Sequence, residues 1–505
     1  MKRVVIIGGG ITGLAAAHRL LERSHDSGEQ VDLKILEASG RTGGIVQTRE
    51  RDGFLLESGP DSFISEKPAA LELVKRLGLE SHLIETNEHH RRSFIVRQGR
   101  LLLVPKGFHL LAPSRFWPFV KSDIFSWSGK ARMALDLLLP RRRENGSNAE
   151  ESLAQFVRRR LGTEALERMA QPMVGGIYTA DPEQLSLRAT MPRFLEMERE
   201  HRSLIRALRR QGASPTVREG SETSGARYSL FLSFDGGMQV LTDKLEERIS
   251  NFRSQISDFP SEISDFKSQM SVSDGSGQTS IRLNTIVDSI ALEPSQGTDG
   301  SPKWRLHTNC DETLEADAIC LALPAYVSAR LLGNLDPRLA AELAGISYAS
   351  SATINLAYRR EDIPHPLDGF GFVVPFIEKR SLMACTFSSV KFAHRAPQGQ
   401  ALLRAFVGGA LQPDLFDLNQ DELLARVLGD LRDLLGIERA PVFAEVTKWE
   451  RSMPQYHVGH LERVKRIEAR VASLPGLVLA GNAYSGLGIP DCIRSGEAAA
   501  DLIEV

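Results

Sequence analysis

KRVVIIGGGITGLAAAHRLL, at residues 2–21, decides the fold of the N-terminal part of the chain. Its β-branched first half is typical of a buried strand, and from Ile11 onward apolar residues recur at helical spacing. Between them Gly8, Gly10 and Gly13 form the pattern GxGxxG, in which the glycines serve the tight turn, the close approach of a pyrophosphate and the packing of helix on strand. The stretch therefore predicts a strand, a phosphate-binding turn and a helix.

A second strand is predicted at residues 31–36, and it ends at Glu37. This is close to the spacing at which an acidic residue accepts hydrogen bonds from a ribose in dinucleotide-binding folds. The pyrophosphate itself is expected on the helix N-terminus, where free N–H groups and the helix dipole favour negative charge. The residues predicted to contact the dinucleotide here are Gly8, Gly9, Gly10, Ile11, Thr12, Gly13 and Glu37.

A second glycine-rich loop follows Glu37 and favours a flavin over a nicotinamide. A nicotinamide enzyme releases its cofactor at every turnover, whereas a permanently bound flavin benefits from a second glycine-rich phosphate-binding loop, here called a clasp. The loop and the segment Glu57-Ser58-Gly59-Pro60-Asp61-Ser62 would supply that clasp. The additional residues predicted to bind FAD are Ala38, Arg41, Gly43, Gly44, Gly59, Pro60, Asp61 and Ser62.

The far end of the chain repeats the pattern. A strand is predicted from Leu477 to Ala480, and a helix is predicted to run through Ser495 to Ile503. If both glycine-rich strand ends lie on one sheet, a dinucleotide can lie across it with its reactive ring at the second helix start. The residues predicted to bind the cofactor here are Gly481, Leu487, Gly488 and Ile489.

Composition limits the remaining classes. A chain of 505 residues suggests about three domain-sized units, and a net charge of -2 with 42% hydrophobic residues excludes a disordered polyelectrolyte and gives no global signature of nucleic-acid binding. Four cysteines without a CxxC pattern favour a reducing compartment, so we expect a cytoplasmic protein. The N-terminal apolar run is too short for a signal peptide, and no apolar run is long enough to span a membrane.

Residues 89–143 are strongly basic, with twelve Lys or Arg against Asp123 and Asp136. The segment also contains several Phe and Trp residues, so it could meet an anionic membrane surface or the carboxylates of a substrate. The alternative is an ordinary helical surface with its aromatic residues in the core.

Residues 251–279 contain three serine-rich seven-residue repeats with phenylalanine at the same position of each, FRSQISD, FPSEISD and FKSQMSV. Pro260 and the following Ser-Asp-Gly-Ser-Gly disfavour a coiled coil. We expect a mobile surface insertion between a helix ending near Ile249 and a strand from Ile281 to Leu292, and a second mobile loop at 212–226.

Several longer strings are shared with a known family. The two glycine clasps, the segment Glu57 to Ser62, Gly175-Gly176-Ile177-Tyr178, Gly369-Phe370-Gly371 and the string MPQYHVGH at 453–460 resemble the FAD-dependent porphyrinogen oxidases of haem biosynthesis, within the wider amine-oxidase-like flavoproteins. The likeness runs nearly end to end. It is strongest to the bacterial branch that oxidises coproporphyrinogen III, followed by the branch that oxidises protoporphyrinogen IX.

The resemblance implies an α/β fold with a discontinuous Rossmann-like FAD domain of the p-hydroxybenzoate-hydroxylase type, a mixed-sheet substrate domain and a helical domain. Strands are expected at Ala352 to Tyr358, Gly371 to Val374 and Leu402 to Gly408. The expected segments are 1–88, 231–330 and 441–505 for FAD, 89–205 for the helical domain, and 206–230 and 331–440 for the substrate domain.

The resemblance also implies the chemistry. Six electrons would leave the porphyrinogen in three two-electron steps through FAD to O2, giving hydrogen peroxide. The implied partners are a porphyrinogen and O2, with no nucleic acid, while peripheral membrane contact and delivery of product to a ferrochelatase stay open. Two alternatives remain: an amine or polyamine oxidase on the same scaffold, and a flavoprotein that binds porphyrin without turnover.

The site residues implied by the resemblance fall into three groups. Val287 would read the adenine through its backbone, and Trp449 would stack near the flavin. A porphyrinogen is a large apolar disc with carboxylates at its rim, so a flat apolar slot with basic groups at its mouth is expected. The implied slot residues are Gly176, Phe370, Val373, Thr386 and Phe406.

The basic rim departs from the family pattern. Ser93 stands where other relatives have a propionate-binding arginine, so the replacement candidates are Lys67, Arg91, Arg92 and Arg97. His457 and His460 are three residues apart but have no third ligand at a readable spacing, so no metal site is predicted. No side chain has the context of a catalytic nucleophile, which agrees with chemistry carried by a flavin.

Overall fold

The computed structural model of the chain describes residues 1–142, 150–212, 231–252, 279–293 and 302–504. Both serine-rich predictions, the insertion at 251–279 and the loop at 212–226, lie almost entirely outside the described residues.

A five-stranded, fully parallel sheet organises the two ends of the chain. Its strands are rich in Val, Ile and Leu because both faces are covered, as parallel sheets require. The spatial order β12-β2-β1-β16-β22 places the first and last strands of the sequence on either side of β16. The strands are β1 (Lys2–Ile7), β2 (Val31–Leu36), β12 (Thr279–Arg282), β16 (Ala318–Leu321) and β22 (Leu477–Leu479).

Helices cover one face of this sheet, and an antiparallel sheet with further helices covers the other. The predicted strand–helix–strand at the N-terminus and the strand and helix at the C-terminus are confirmed. On the first face are α1 (Ile11–Ser27), α2 (Pro68–Leu77), α11 (Gln239–Ser250) and α18 (Ile489–Leu502). On the second are β13 (Val287–Glu293), β14 (Lys303–Thr308), β15 (Thr313–Ala316), α12 (Ala325–Leu332), α13 (Pro337–Ala344) and α17 (His460–Val471).

The single strand expected from Ile281 to Leu292 is wrong. The chain instead forms β12, leaves the parallel sheet at residues 283–286 and enters the antiparallel sheet as β13. Asn284 has a left-handed φ of 54° in this crossing, and its N–H donates to the Ser39 carbonyl. A turn of this kind is what separates two apolar runs that look continuous in the sequence.

A seven-stranded mixed sheet forms the substrate side, in the order β21-β17-β20-β19-β18-β7-β8. All three strands expected between residues 352 and 408 belong to it. Its strands are β7 (Phe94–Arg97), β8 (Arg100–Leu103), β17 (Tyr348–Arg359), β18 (Gly371–Val373), β19 (Leu382–Phe387), β20 (Gln400–Gly408) and β21 (Phe443–Pro454). The helix α16 (Gln420–Leu435) packs on its outer face.

Two segments that supply this sheet were expected to belong to other domains. Residues 94–103 form β7 and β8 although they were expected in the helical domain, and residues 443–454 form β21 although they were expected in the FAD domain. Both differences arise because edge strands are contributed from distant parts of the chain, which local periodicity does not reveal.

Short helices from residues 116–212 pack around a separate apolar core. They are α3 (Phe116–Lys121), α4 (Trp127–Ala134), α5 (Leu153–Arg160), α6 (Thr163–Ala165), α7 (Gln171–Tyr178), α8 (Leu187–Thr190), α9 (Pro192–His201) and α10 (Leu204–Gly212). The smaller elements elsewhere are β3 (Thr48–Arg51), β4 (Phe54–Glu57), β5 (Phe63–Ile64), β6 (Leu83–Glu85), β9 (Phe108–His109), β10 (Ala112–Pro113), β11 (Phe231–Phe234), α14 (Ser388–Lys391) and α15 (Asp414–Asp417).

The aromatic residues of the basic segment 89–143 form a buried group and an exposed group. Phe108, Phe119 and Phe125 are buried in the helical core, which agrees with the alternative that the aromatic residues of this segment are core residues. Others project outward: Trp117 is 69% exposed and Trp127 72%. Within the described ranges, no helix is both long and apolar enough to cross a membrane.

Candidate functional site

The first glycine loop lies at the carboxyl end of β1 and is shaped by close backbone contact. A Cβ at position 13 would lie 1.9 Å from the Gly8 carbonyl oxygen, and Gly8 itself has a φ of 109°. The helix α1 begins at Ile11, and its N-cap, Gly10, has no side chain to occupy the free N–H groups. The helix N-terminus is therefore available to an anion.

Glu37 lies beside this loop at the end of β2, as predicted. Its Oε2 accepts a hydrogen bond from Gly9 N (2.7 Å), and its Oε1 accepts from Ser39 N and Oγ (2.8 and 2.7 Å). The carboxylate thus fixes the turn, and Oε2, which accepts one hydrogen bond, keeps a second lone pair for a ribose hydroxyl.

The second glycine loop closes over the first. Gly43 N donates to Gly9 O (2.8 Å), and a Cβ on Gly44 would come within 3.2 Å of Gly10 Cα. Arg41, which is predicted to bind FAD, donates to the carbonyls of Thr42 and Val46 at 2.8 and 3.0 Å. Its guanidinium therefore supports the loop from within.

The C-terminal loop meets the same edge of the sheet. Gly481, at the end of β22, has a φ of 133°, and Gly488 is the N-cap of α18. The helices α1 and α18 pack so closely that a Cβ on Gly496 would lie 2.2 Å from Thr12 O. Both glycine-rich strand ends thus lie together, as the sequence predicted.

Residues 57–59 connect this cradle to the seven-stranded sheet. Ser58 O accepts from Thr353 Oγ1 (2.8 Å) and Trp449 Nε1 (3.0 Å), and Glu57 O accepts from Asn355 Nδ2 (3.0 Å). The guanidinium of Arg404 donates to Gly59 O. Thr353, Asn355 and Arg404 are not among the predicted site residues, although a buried Asn or Arg within an apolar strand is a signal of such a role.

Charged side chains are buried behind this connection. Burial raises the pKa of Glu57 to about 7, against the opposing effect of its hydrogen bonds from Met238 N and Thr48 Oγ1. Burial would also raise the pKa of Asp61, but the Lys391 ammonium and the Arg404 guanidinium outweigh it and hold that pKa well below its usual range. Asp61 therefore bonds to Lys391 as a carboxylate, and its contact with the cofactor stays a prediction.

Strand register puts the predicted slot residues on one face of the large sheet. Thr353 pairs with Phe406, which pairs with Ala384, which in turn pairs with Val373. Thr386 lies two residues from Ala384 and so shares its face, as does Trp449, which pairs with Ser351. This is the face that holds residues 57–59, so the slot begins where the cradle ends.

The helix α7 lies across this face. A Cβ on Gly176 would be 3.9 Å from Val373, and the neighbouring Ile177 is about half exposed. Burial raises the pKa of Tyr178, the last residue of α7, to about 12, and the nearby Asp491 carboxylate in the first turn of α18 adds to this. Phe370, in contrast, is buried just before β18, with its N–H bonded to Arg92 O.

A solvent-open cleft of about 390 Å³ continues past Gly176 between α7 and the large sheet. Its walls are mainly apolar, with amide groups from Gln171 and Gln412. The lining residues are Gln171, Pro172, Gly175, Thr179, Ala180, Val374, Pro375, Phe376, Arg380, Leu382, Met383, Leu411 and Gln412.

Two of the predicted basic residues are held by acids. Arg91 pairs with Glu85 (3.2 Å) and Glu88 (3.4 Å), and Arg92 pairs with Asp368 at 2.5 Å. These arginines therefore stabilise the loop before β7 and have little capacity left for a substrate carboxylate.

The two other predicted basic residues, Lys67 and Arg97, differ from Arg91 and Arg92 because they keep unused hydrogen-bond donors. Lys67 pairs with Asp491 at 2.5 Å beside the start of α18 and stays half exposed. Arg97, at the end of β7, has a buried Nε without a hydrogen-bond partner in the described residues. Of the predicted basic candidates, these two keep donors that could meet a carboxylate.

Arg451 is a further cation, which the sequence analysis did not identify. Its guanidinium lies 3.8 Å above the ring of Tyr326, and within the described residues no carboxylate is in ion-pair distance. It follows Trp449 at a bulge in β21, with a left-handed φ of 41° and its N–H bonded to Ser350 Oγ (2.9 Å). A stacked, unpaired arginine of this kind is suited to bind a carboxylate.

No metal site is formed by the described residues, since no group of three or more His, Cys, Asp or Glu comes together there. His460 instead bonds through Nε2 to Tyr484 O (3.1 Å). Val287 begins β13, and the neighbouring Thr285 N donates to Glu37 O (2.8 Å), so Val287 lies close to the predicted ribose site.

The residues present fit a flavin adenine dinucleotide. Two helix N-termini with glycine at the N-cap, a close glycine contact between the loops and a carboxylate at the end of β2 lie along one sheet edge. The predicted binding residues Gly8 to Gly13, Glu37, Ala38, Gly43, Gly44, Gly481 and Leu487 to Ile489 belong to the three loops at this edge, and Gly59 and Pro60 belong to the adjoining connection to the large sheet. Ser62 donates to Asp61 and also accepts from Lys391.

Comparisons with known proteins find relatives that match nearly the whole chain. A model of the family described as flavin containing amine oxidoreductase matches residues 11–504. The chain is 34% identical to coproporphyrinogen III oxidase of Bacillus subtilis (strain 168), over 99% of this chain and 97% of that protein. It is 27% identical to protoporphyrinogen oxidase 2, chloroplastic/mitochondrial, of Arabidopsis thaliana, over 99% and 94%. A crystal structure described as a candidate protoporphyrinogen oxidase, from Exiguobacterium sp. 255-15, has a TM-score of 0.80 at 31% identity and covers 99% of this chain and 98% of its own.

Proposed function

Because this chain belongs to the flavin-containing amine oxidoreductase family, we propose that it oxidises a porphyrinogen to a porphyrin. The protein is an FAD-dependent oxidoreductase. The observation that carries the proposal is the full-length similarity to a coproporphyrinogen III oxidase, at 34% identity. The lower identity to a protoporphyrinogen oxidase, 27%, favours coproporphyrinogen III over protoporphyrinogen IX as substrate.

The slot supports this substrate class. Its sheet face presents Phe406, Val373 and Thr386, and the helix α7 packs against this face at Gly176, so the sheet and α7 form two adjoining apolar walls that a flat apolar ring can contact. Bound FAD would supply the two-electron oxidation of the macrocycle CH–CH units and the transfer of electrons to O2, with hydrogen peroxide as product. The protein's contribution is then orientation, exclusion of water and binding of the rim carboxylates.

The proposed function is tested by anaerobic mixing. The purified yellow protein is mixed in turn with coproporphyrinogen III, protoporphyrinogen IX and a polyamine, and bleaching of the flavin absorbance is followed. We expect fast bleaching by coproporphyrinogen III and recovery of the yellow colour, with hydrogen peroxide, when O2 is admitted. Bleaching by the polyamine alone would identify an amine oxidase. Porphyrin binding without bleaching would identify a non-catalytic carrier.

We expect Arg451→Met to raise KM for coproporphyrinogen III about tenfold with little change in kcat. Loss of one charge-assisted hydrogen bond at a half-open site accounts for that size, about 1.4 kcal/mol. Steady-state kinetics measure KM, and Arg359→Met, an exposed arginine at the other end of β17, is the control. An unchanged KM would remove Arg451 from the site. A loss of flavin from the variant would assign it to the cofactor instead.

The proposal includes contact with an anionic membrane surface through the aromatic surface, which we define as Phe116, Trp117 and Trp127. Phe116 and Trp117 are exposed and in edge contact at 5.4 Å, and Arg115 and Lys121 flank them. Exposed aromatic rings beside basic residues are typical of proteins that bind a lipid interface. Delivery of the porphyrin product to a ferrochelatase is part of the same proposal.

We expect Trp117→Ser to lower binding to vesicles of phosphatidylglycerol and phosphatidylcholine severalfold, because one indole ring would no longer enter the interface. Co-sedimentation measures the bound fraction, and Trp127→Ser tests the other ring of the aromatic surface. Equal binding of wild type and both variants would refute the membrane contact. Activity toward a dissolved porphyrinogen should not change.

A further inference from the structure

The string MPQYHVGH, residues 453–460, leads from the end of β21 into α17 and touches three parts of the molecule. Ser186 N, from the helical domain, donates to Tyr456 O (2.8 Å), and His457 forms an isolated β-bridge with Leu185. Gly459 N donates to Glu150 Oε2 (2.6 Å). The cofactor cradle and the slot do not by themselves account for these three contacts of the string.

Tyr456 holds the C-terminal glycine loop from behind. Its hydroxyl donates to Asn482 O (2.6 Å) and accepts from Gly486 N (2.8 Å), so one oxygen fixes both sides of the loop. The ring is buried and stacks on His460, with centroids 4.0 Å apart and planes 11° apart. His460 bonds to Tyr484 O, so three backbone groups of residues 482–486 are held by this one string.

The position of that loop decides where α18 begins. Gly486 has a φ of 102°, and a Cβ there would lie 2.3 Å from Asp491 Cγ in the first turn of α18. The loop therefore has little freedom to shift toward the helix. The bonds from Tyr456 hold the backbone of the same loop at Asn482 O and Gly486 N.

Gln455, the preceding residue, holds the facing wall. Its backbone N–H donates to Ser347 O (2.8 Å), and its side-chain Nε2 donates to Tyr178 O (3.2 Å) at the end of α7. The same amide donates to Met453 O (3.0 Å), which fixes its orientation. The helix that it holds carries Gly176, opposite Val373. The adjacent residues Gln455 and Tyr456 thus contact different walls: Gln455 bonds to the substrate-side helix α7, and Tyr456 bonds to the flavin-side loop.

We propose that Gln455 and Tyr456 are positioning residues that set the separation between the flavin-side loop 482–486 and the substrate-side helix α7. Tyr456 fixes the loop, and Gln455 fixes the helix. The Gln455 half rests on the proposed function, whereas the Tyr456 half requires only that the cradle binds FAD.

Tyr456→Phe removes one hydroxyl and keeps the stacked ring. Because Asn482 O and Gly486 N both lose their partner, the Kd of FAD for the deflavinated protein should rise about tenfold, and the visible circular dichroism of the bound flavin should change. The KM for coproporphyrinogen III should stay within about twofold of wild type. Tyr358→Phe is the matched control, since its buried hydroxyl has no hydrogen-bond partner in the described residues and lies in the core of the large sheet.

Gln455→Leu should give the complementary result. The KM for coproporphyrinogen III should rise about fivefold because α7 loses its tie at Tyr178 O, while the Kd of FAD and the flavin circular dichroism stay at wild-type values. A purely structural role would not separate the two variants in this way, because general loosening of the fold would affect flavin binding and KM together.

The proposal is overturned if Tyr456→Phe and Tyr358→Phe have the same FAD Kd and flavin spectrum as wild type. It is equally overturned if both string variants weaken FAD binding and raise KM by the same factors. A wild-type protein that fails to oxidise either porphyrinogen would refute the proposed function and the Gln455 half, while the FAD titrations of the resting protein would still decide the Tyr456 half.

Discussion

Gly13→Ala is expected to weaken FAD binding by about a hundredfold or more, equivalent to about 2.7 kcal/mol. The added methyl group would lie 1.9 Å from the Gly8 carbonyl oxygen and 3.4 Å from Ala322 Cβ. Neither contact can be relieved by rotating a side chain, because the first is with backbone. The start of α1 must therefore move away from β1, and its free N–H groups move with it, so that the pyrophosphate loses its site.

The affinity is measured by titrating the deflavinated variant with FAD and following quenching of flavin fluorescence. Gly429→Ala is the control, because position 429 lies inside α16 with no atom within 4 Å of the added methyl group. That variant should bind FAD like wild type and gain up to about 1 kcal/mol of stability from its helix propensity. A Gly13→Ala protein that retains FAD at wild-type affinity would refute the placement of the pyrophosphate at this turn.

Asp136→Ala is expected to lower the free energy of unfolding by about 3–5 kcal/mol, a large part of the stability of a typical domain. Asp136 and Arg160 are fully buried in the helical domain, and Arg160 Nε donates to Asp136 Oδ1 (2.7 Å). Asp136 Oδ2 also accepts from Ser203 Oγ (2.6 Å) and Ile205 N (3.1 Å). The substitution removes the nearer of two carboxylates from the buried Arg160, with Glu198 remaining at 3.5 Å, and it leaves Ser203 Oγ and Ile205 N without their acceptor, which is the costly way to break a buried pair.

Urea unfolding followed by circular dichroism measures this loss. Asp501→Ala removes the acid of an exposed pair, Arg19 Nε to Asp501 Oδ1 at 2.9 Å, and should cost less than about 1 kcal/mol. The double variant Asp136→Leu/Arg160→Met should recover much of the stability, because no unpaired charge is left in the core. Equal stability of Asp136→Ala and Asp501→Ala would show that solvent reaches this pair.

The cofactor cradle could be predicted from sequence because its parts are local. The turn at residues 8–13 is fixed by glycines within one strand–helix unit, and Glu37 follows at the end of the next strand. The same holds for residues 477–489. Predictions failed where two apolar runs looked continuous, as at residues 281–292, or where edge strands came from outside the expected segment, as at 94–103 and 443–454.

The substrate side depends on contacts that no local pattern contains. Arg91 and Arg92 look like free cations in the sequence, but the fold places Glu85, Glu88 and Asp368 against them. Arg451 looks like any strand arginine, but the bulge in β21 brings it over Tyr326 and away from acids in the described residues. Whether a charged side chain is free to bind a substrate carboxylate depends on its neighbours in the folded structure.

By itself the sequence determined the flavin-binding turns, because steric demands on glycine and the spacing of strand, helix and acid act over a few tens of residues. Its family resemblance added the expected chemistry. Only the tertiary structure decided how the cradle is joined to the slot, where Thr353 and Trp449 bind Ser58 O across roughly 300 and 390 residues of chain. That junction depends on strand register and on the packing of separate sheets, and these are set by the whole core.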